Sequence, residues 1–291
     1  DSATVSNIYT TVFRNPTVTD STVTTDEGNI IMNGIPIGSG DETDVTDSVG
    51  KTAQGSITVN LDHAEGTIVI ASLSGKSITI TIDKNGDIVA EDDVMMQGKH
   101  GYISDINVAS VDENGNITIE YTYTLNSPVD GGEQNSSGRG DSHLADEFTV
   151  TVTTGEGEAT GKITANALDD APVLEVTQPE GLVKDTAETI EIPLEKFSVG
   201  ADYFSLDSPE SVASIAVTVG GESYTFTVGY GDGEKYIFDA AGNQDDKLKI
   251  ESTAEGGYKI VYTRALQDIA DGKDDSYTFD ITVTDADGDT T

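Results

Sequence analysis

The chain has 291 residues, of which 35% are hydrophobic and none is cysteine, and its formal net charge is -38 at pH 7. This length allows two domains that each bury a core, and the lack of cysteine excludes disulfide scaffolds and thiolate zinc sites. Such an acidic chain repels nucleic acid and anionic lipid, and it has no stretch of eighteen apolar residues, so we predict neither nucleic-acid binding nor membrane insertion.

The negative charge predicts a need for counter-ions. Repulsion among so many carboxylates destabilises a compact chain unless something screens it. Divalent cations are one solution, because clustered carboxylates are hard oxygen ligands, and high salt around a uniformly acidic surface is the other. The acidic residues of this chain are clustered, which favours the cations.

The first residues, 1–14 with the sequence "DSATVSNIYTTVFR", are predicted to be the closing strand of a preceding module or a linker. The chain begins on Asp and shows no signal peptide, so we interpret it as an excerpt from a longer protein. "RNPTVTDS" at 14–21 then opens the first module, since proline suits a linker or the first residue of an edge strand.

Residues of alternating polarity follow along nearly the whole chain. Thr, Val and Ile carry these runs, and their β-branched side chains suit a sheet with one face in water. Gly-, Asn- and Asp-rich segments between the runs are typical of hairpin turns. The alternation predicts an all-β protein, and the clearest runs are "GSITVNLD" (55–62), "SITITID" (77–83), "ITIEYTYTL" (117–125), "EFTVTVTT" (147–154), "SIAVTVGGESYTFTV" (214–228), "YKIVYTRAL" (258–266) and "YTFDITVTD" (277–285).

The pattern occurs twice. "LSGKSITITI" (73–82) matches "VGGESYTFTV" (219–228), "ITIEYTYTL" matches "YKIVYTRAL", and "TVTVTTGEGEAT" (149–160) matches "DITVTDADGDTT" (280–291), in the same order. We therefore predict two homologous sandwich modules, 15–170 and 171–291, with the second lacking its last strand. Each should have about seven to nine strands in an Ig-like or cadherin-like arrangement.

Two acidic segments are predicted to meet although they lie far apart in sequence. In such a sandwich, the hairpin before the last strand lies at the pole where the chain enters the module. Asp169 and Asp170 stand at the entry of the second module, and Asp285, Asp287 and Asp289 form its penultimate hairpin. Their carboxylates could supply the oxygen ligands that Ca²⁺ takes. The alternative is that "DADGD" is a turn built from residues that favour turns.

Two further pairs of acidic residues are candidate metal ligands. Glu156 and Glu158 occupy the matching hairpin of the first module, where we expect a weaker site. Asp271 and Asp275 belong to "DIADGKDD", for which a solvated loop is the alternative.

The first module has about ten extra residues within 126–147, and they include "GRGDS" at 138–142. Arg139, Gly140 and Asp141 resemble the integrin-binding tripeptide of animal matrix proteins. Two alternatives are that an acidic residue of this loop (Asp130, Glu133, Asp141 or Asp146) helps to bind a cation, and that the loop is simply mobile.

No catalytic constellation is present. The three histidines, His63, His100 and His143, are isolated from one another and from any triad-like or HExxH-like context. We predict that the chain is not an enzyme. Two classes of function remain: a structural extender, and a ligand-binding adhesin domain that recognises a glycan or a host protein.

The segments "DEFTVTV…GEATGKITANALDDAP" and "YTFDITVTDADGDTT" resemble repeats of giant RTX-type adhesins exported by bacterial type I secretion, and most nearly their cadherin-like or VCBS-like extender modules. The resemblance covers roughly 15–291. It implies tandem Ig-like modules, stiffened by Ca²⁺ between neighbouring modules of the same chain. It also implies an extracellular location on the surface of a Gram-negative bacterium and a role in adhesion and biofilm formation.

Overall fold

The computed structural model describes a large part of the chain, namely residues 15–32, 35–36, 51–83, 88–90, 95–129, 142–178, 183–184, 186–201, 212–231, 234–240, 247–265 and 275–291. The predicted strand at 1–14, Asp271 and the tripeptide Arg139, Gly140 and Asp141 lie outside these ranges. Throughout the described ranges the regular structure is β-strand, apart from one 3-10 turn at Glu27–Asn29. The all-β prediction is therefore confirmed. Over the same residues, no helix has the length and hydrophobicity needed to span a bilayer.

The chain divides into two compact units. Unit 1 comprises residues 1–23, 53–124 and 145–165, and unit 2 comprises 24–52, 125–144 and 166–291. The module boundary at residue 170 stays a prediction, because this division follows spatial contacts and not a single cut in the chain.

Most residues of two sheets belong to unit 1. One sheet has the strand order β1-β5-β11-β10-β9 and the other β2-β13-β12-β6-β7-β8. The two sheets have five and six described strands, which together exceed the seven to nine strands predicted for a module. Part of the excess arises because the first strand is split at Asp20 between the two sheets. The strands are β1 (Thr17–Thr19), β2 (Ser21–Asp26), β5 (Thr52–Asn60), β6 (Gly66–Ser72), β7 (Ser77–Ile82), β8 (Ile88–Ala90), β9 (Met96–Gln97), β10 (Gly101–Val111), β11 (Asn116–Leu125), β12 (Ser142–Thr154) and β13 (Gly157–Leu168).

The alternation seen in the sequence explains the core of unit 1. In β7 the isoleucines at 78, 80 and 82 are buried, while Ser77 and Thr81 are exposed. Strand β6 pairs with both β7 and β12, which sets Ile70 opposite Ile78 on one side and Val150 on the other. Period-two alternation places one side chain in two on the inner face, so each strand contributes a row of branched residues to the core.

Unit 2 contains two four-stranded sheets, with the orders β14-β15-β20-β19 and β18-β17-β16-β21, and a two-stranded ribbon of β3 and β4. Strands from both four-stranded sheets share one apolar core, to which Ile192, Val217, Phe226, Ile260 and Val283 belong. The strands are β3 (Ile31–Met32), β4 (Ile35–Pro36), β14 (Val173–Val176), β15 (Thr189–Ser198), β16 (Ser214–Val219), β17 (Glu222–Gly231), β18 (Glu234–Ala240), β19 (Leu248–Ser252), β20 (Tyr258–Thr263) and β21 (Phe279–Thr284).

The two pairs of sheets repeat one topology. The order β1-β5-β11-β10 corresponds to β14-β15-β20-β19, and β12-β6-β7-β8 corresponds to β21-β16-β17-β18. Strand β13 lies beside β12, and the equivalent position beside β21 is taken up by Thr290 and Thr291, which pair with Thr284 and Val283. The repeat is therefore a repeat of strand order, and each copy is an Ig-like β-sandwich.

Candidate metal centre

The hairpin that follows β21 presents three aspartates on a tight turn. The Asp285 N–H donates to the carbonyl oxygen of Asp289 at 3.1 Å, and the Asp285 carboxylate accepts the N–H groups of Gly288 and Asp289 at 2.9 and 2.7 Å. Gly288 has a φ of 111°, a conformation that glycine adopts without strain. Asp285 therefore closes the turn through one carboxylate oxygen.

The same turn brings the carboxylates of Asp285, Asp287 and Asp289 together. One oxygen from each lies within 4.8 Å of the other two. Asp285 and Asp289 are only 4% and 3% exposed, and Asp287 is half-buried. Three like charges at this spacing repel strongly, and burial removes part of the water that would screen them.

The connection from β13 to β14 places two more carboxylates at this hairpin. Asp169 is 3% exposed and Asp170 is 1% exposed. The pKa of Asp169 is raised to about 8, first of all by burial, and then by the charge of Asp287, the hydrogen bond and charge of Asp289, and the charge of Asp170. The structure thus brings together all five aspartates of the two segments that the sequence singled out, which we call the acidic cluster.

Two buried acidic residues that the sequence did not single out are Asp26 and Glu27, and Asp26 lies near this cluster. Asp26 caps the 3-10 turn at Glu27–Asn29 by accepting the Gly28 N–H at 2.8 Å, and Gly28 packs between the carboxylates of Asp26 and Asp170. Glu27 is fully buried, and its Oε1 accepts the N–H of Val129 at 2.8 Å. The only signal for them is an Asp-Glu-Gly sequence directly after an alternating run. The placement of Asp26 near the cluster depends on strand pairing and not on spacing.

Gly200 fixes the backbone of the same region. Its φ is 73°, and a Cβ at this position would overlap the carbonyl oxygen of Asp170. Its N–H donates to Ser198 Oγ at 3.2 Å. Only glycine allows this close approach of the residue 200 backbone to the segment that carries Asp170.

The other predicted metal ligands that the structure describes are placed elsewhere. Glu156 and Glu158 are exposed on the hairpin between β12 and β13. Asp275 forms an ion pair with the buried guanidinium of Arg264, which also donates to the carbonyl oxygens of Lys184 and Ala187 at 2.9 and 2.8 Å. Asp275 therefore neutralises a buried cation of the protein itself.

Asp146 also has a protein partner. Its carboxylate accepts the Gly101 N–H at 2.8 Å and the Tyr123 hydroxyl at 2.7 Å, and it contacts the N–H groups of Lys99 and His100. Tyr123 is equivalent to Arg264 in the sequence repeat. Tyr123 binds Asp146 near the start of β12, and Arg264 binds Asp275 shortly before β21, the strand that corresponds to β12. Asp146 and Asp275 are therefore structural acceptors in matching places.

The donor set of the acidic cluster suits a hard cation. The candidate ligand atoms of the five aspartates are carboxylate oxygens, held on the 169–170 connection and the 285–289 hairpin. Five carboxylates, or six with Asp26, approach the six to eight oxygen ligands that Ca²⁺ takes. A divalent ion among them would replace mutual repulsion by shared attraction.

Comparisons with known proteins identify no family. No family model matches the chain, and no curated protein matches it. It is similar to a chimeric titin Z1Z2-Z1Z2 tandem functionalized with a GRGDS exogenous peptide from fibronectin, with 12% identity over 82% of this chain and 86% of that chain and a TM-score of 0.21. It is also similar to the extracellular portion of mouse CD200RLa, with 10% identity over 94% and 95% of the two chains and a TM-score of 0.27. The chain belongs to the all-β, Ig-like sandwich class by its own sheet topology.

Proposed function

We propose that this chain is an extender segment of an extracellular adhesin on the surface of a Gram-negative bacterium, and that Ca²⁺ bound by the acidic cluster stiffens it. The observation that carries the proposal is the meeting of the 169–170 segment with the 285–289 hairpin, although more than a hundred residues separate them in sequence. The resemblance of the same two segments to extender modules of RTX-type adhesins supports the location.

Burial is the first argument for a cation. Asp169, Asp170, Asp285 and Asp289 are each less than 5% exposed, and carboxylates are rarely that buried unless they are paired or bound to a metal. Acidic residues that only keep a protein soluble remain on its surface, as Glu156 and Glu158 do here. The inward placement of these side chains is therefore what needs an explanation, and a bound cation supplies one.

Ligand chemistry is the argument for Ca²⁺ in particular. The available atoms are oxygens, whereas structural zinc sites use thiolate or imidazole. Mg²⁺ requires a near-ideal octahedron and keeps most of its water, which suits two irregular loops poorly. Ca²⁺ accepts flexible oxygen shells of six to eight ligands, and it is the cation that the cluster fits best.

A bound ion would stiffen the chain where β13 is connected to β14. Asp169 and Asp170 belong to the short connection between β13 and β14, and the hairpin is anchored to β16 through β21. A cation that joins this connection to the hairpin would restrict the motion of the connection. A series of such joints would give a stiff array, in which the partners of each module are its neighbours in the same chain.

Calcium titration of the full chain tests the proposal. We expect Ca²⁺ to raise the melting temperature and Mg²⁺ to do so much less at the same concentration. The triple variant Asp285→Asn, Asp287→Asn and Asp289→Asn should lose the calcium response. Asp280 is exposed on β21, the strand before the hairpin, and the variant Asp280→Asn should keep the response. No calcium response in the unaltered chain would refute the proposal.

Small-angle scattering tests the stiffening separately. With calcium the scattering profile should fit a single conformer, and with chelator it should require an ensemble with a wider spread of maximum dimensions. If the profile is the same in both conditions while calcium still raises the melting temperature, the ion stabilises the fold and does not stiffen the chain.

A further inference from the structure

A separate feature, a polar groove, lies in unit 1. The outer face of the sheet β5-β11-β10 contains a groove of about 460 Å³, a volume within the range of small-molecule sites. Its walls are formed by six polar side chains, two from each strand: Gln54, Ser56, Asp105, Asn107, Glu120 and Thr122. Gly55 and Tyr121 form its floor.

A local irregularity in β10 creates one wall. Residues 101 and 103 are buried, whereas Asp105 and Asn107, which continue the odd-numbered series, are exposed. The change occurs at Asp105, whose φ of 51° is uncommon for a residue other than glycine. Irregularities of this kind re-aim side chains, and here they turn a carboxylate and an amide towards the groove.

This wall is held in a fixed arrangement by its own hydrogen bonds. The Ser104 hydroxyl donates to Asp105 Oδ2 at 3.0 Å, and the Asn107 amide nitrogen donates to the carbonyl oxygen of Asp105 at 3.2 Å. Asn107 thereby directs one donor back into the strand and keeps its own carbonyl oxygen available. The wall is rich in hydrogen-bond acceptors.

The floor of the groove depends on a glycine. A Cβ on Gly55 would overlap the ring of Tyr121, which passes beneath β5 so that its hydroxyl meets Ser21 Oγ at 2.7 Å. The floor is therefore backbone and a buried ring, and the polar walls stand above it. Such a site offers hydrogen bonds at its sides and no large apolar surface for an apolar ligand.

The chemistry of the walls selects a class of ligand. Asp105 and Glu120 repel anions, and none of the described residues that line the groove is basic. Two amides and two hydroxyls can both donate and accept, which matches the hydroxyl groups of a sugar ring. The two carboxylates add a preference for a positively charged group. We propose that this groove binds a saccharide that carries a free amine, such as a hexosamine unit.

Three disaccharides with one skeleton and different groups at C2 provide the test: the amine form from chitosan, its N-acetylated counterpart, and cellobiose, which has a hydroxyl. Each is titrated into the 291-residue chain at saturating calcium, with binding followed by calorimetry and by NMR. We expect the amine form to bind most tightly and to perturb the amide signals of residues 105–107 and 120–122. No binding, or equal binding of the three sugars, would overturn the proposal.

Variants separate a specific site from general attraction to an acidic protein. Glu120→Gln should weaken binding of the amine form roughly two- to fivefold, the range expected of a solvent-exposed charge pair. Glu113→Gln removes the same charge from the exposed turn between β10 and β11, and binding should stay unchanged. Equal weakening by both variants would show general attraction and overturn the groove as the site. Urea unfolding of each variant confirms that its fold is retained.

Discussion

Replacing Asp287 by Asn should stabilise the chain without calcium and reduce the stabilisation that calcium adds. Asp287 is the best position in the hairpin for this test, because the turn itself is closed by Asp285, which accepts two backbone N–H groups. Asn is nearly isosteric with Asp and removes one negative charge. The substitution therefore changes the electrostatics of the acidic cluster and leaves the hydrogen bonds of the turn in place.

The spacing of the carboxylates sets the magnitude. At 4.8 Å, two unit charges repel by about 3 kcal/mol with an effective dielectric constant of about 20. Asp287 is half-buried and takes part in two such pairs within the hairpin, but water screens them in part. We expect a gain of about 1–3 kcal/mol in the free energy of unfolding without calcium. With calcium, a tenfold loss of affinity removes about 1.4 kcal/mol of the stabilisation by the ion.

Urea unfolding in chelator and in excess calcium measures both effects on one protein. Asp280→Asn is the matched control, since it removes the same charge from an exposed position on β21 and should change neither value by more than about 0.5 kcal/mol. If Asp287→Asn is less stable than the unaltered chain in chelator, and gains as much from calcium, the repulsion argument is wrong.

The remaining predictions concern the backbone beside the cluster and the contacts of Asp146 and Asp275. Arg264→Met should lower the free energy of unfolding by about 3 kcal/mol, because Asp275 loses its cation; a loss below about 1 kcal/mol in urea would contradict this. Gly200→Ala should cost about 2 kcal/mol and weaken calcium binding, since the new Cβ overlaps the Asp170 carbonyl; thermal unfolding with and without calcium measures both. Asp146→Ala should cost about 3 kcal/mol by leaving backbone N–H groups without their acceptor, and faster amide hydrogen exchange in that loop is the check.

The sequence predicted the fold because period-two alternation is a local signal. "SITITID" could form only a strand with one apolar face, and it is β7. The matched hairpins at 73–82 and 219–228 likewise became β6–β7 and β16–β17. The split of the first strand into β1 and β2 has no local signal, because which sheet a strand joins depends on partners far away in the chain.

The candidate site was predictable only in part. Asp169, Asp170 and the three hairpin aspartates were found because topology places an entry segment and a penultimate hairpin at one pole. Asp26 and Glu27 were missed because buried acidic residues look the same in a sequence as exposed ones. Asp275 sits beside Arg264, and nothing in "DIADGKDD" distinguishes a carboxylate that faces a buried arginine from one that faces a metal.

The distance in sequence between the two halves of the acidic cluster has a kinetic consequence. Its hairpin half directly follows β21, which pairs with β16. Contacts of such long range in sequence slow folding, and we expect these to form after the folding transition state. Calcium should therefore slow unfolding and leave the folding rate nearly unchanged. The ion then stabilises the folded sandwich and takes no part in the nucleation of folding.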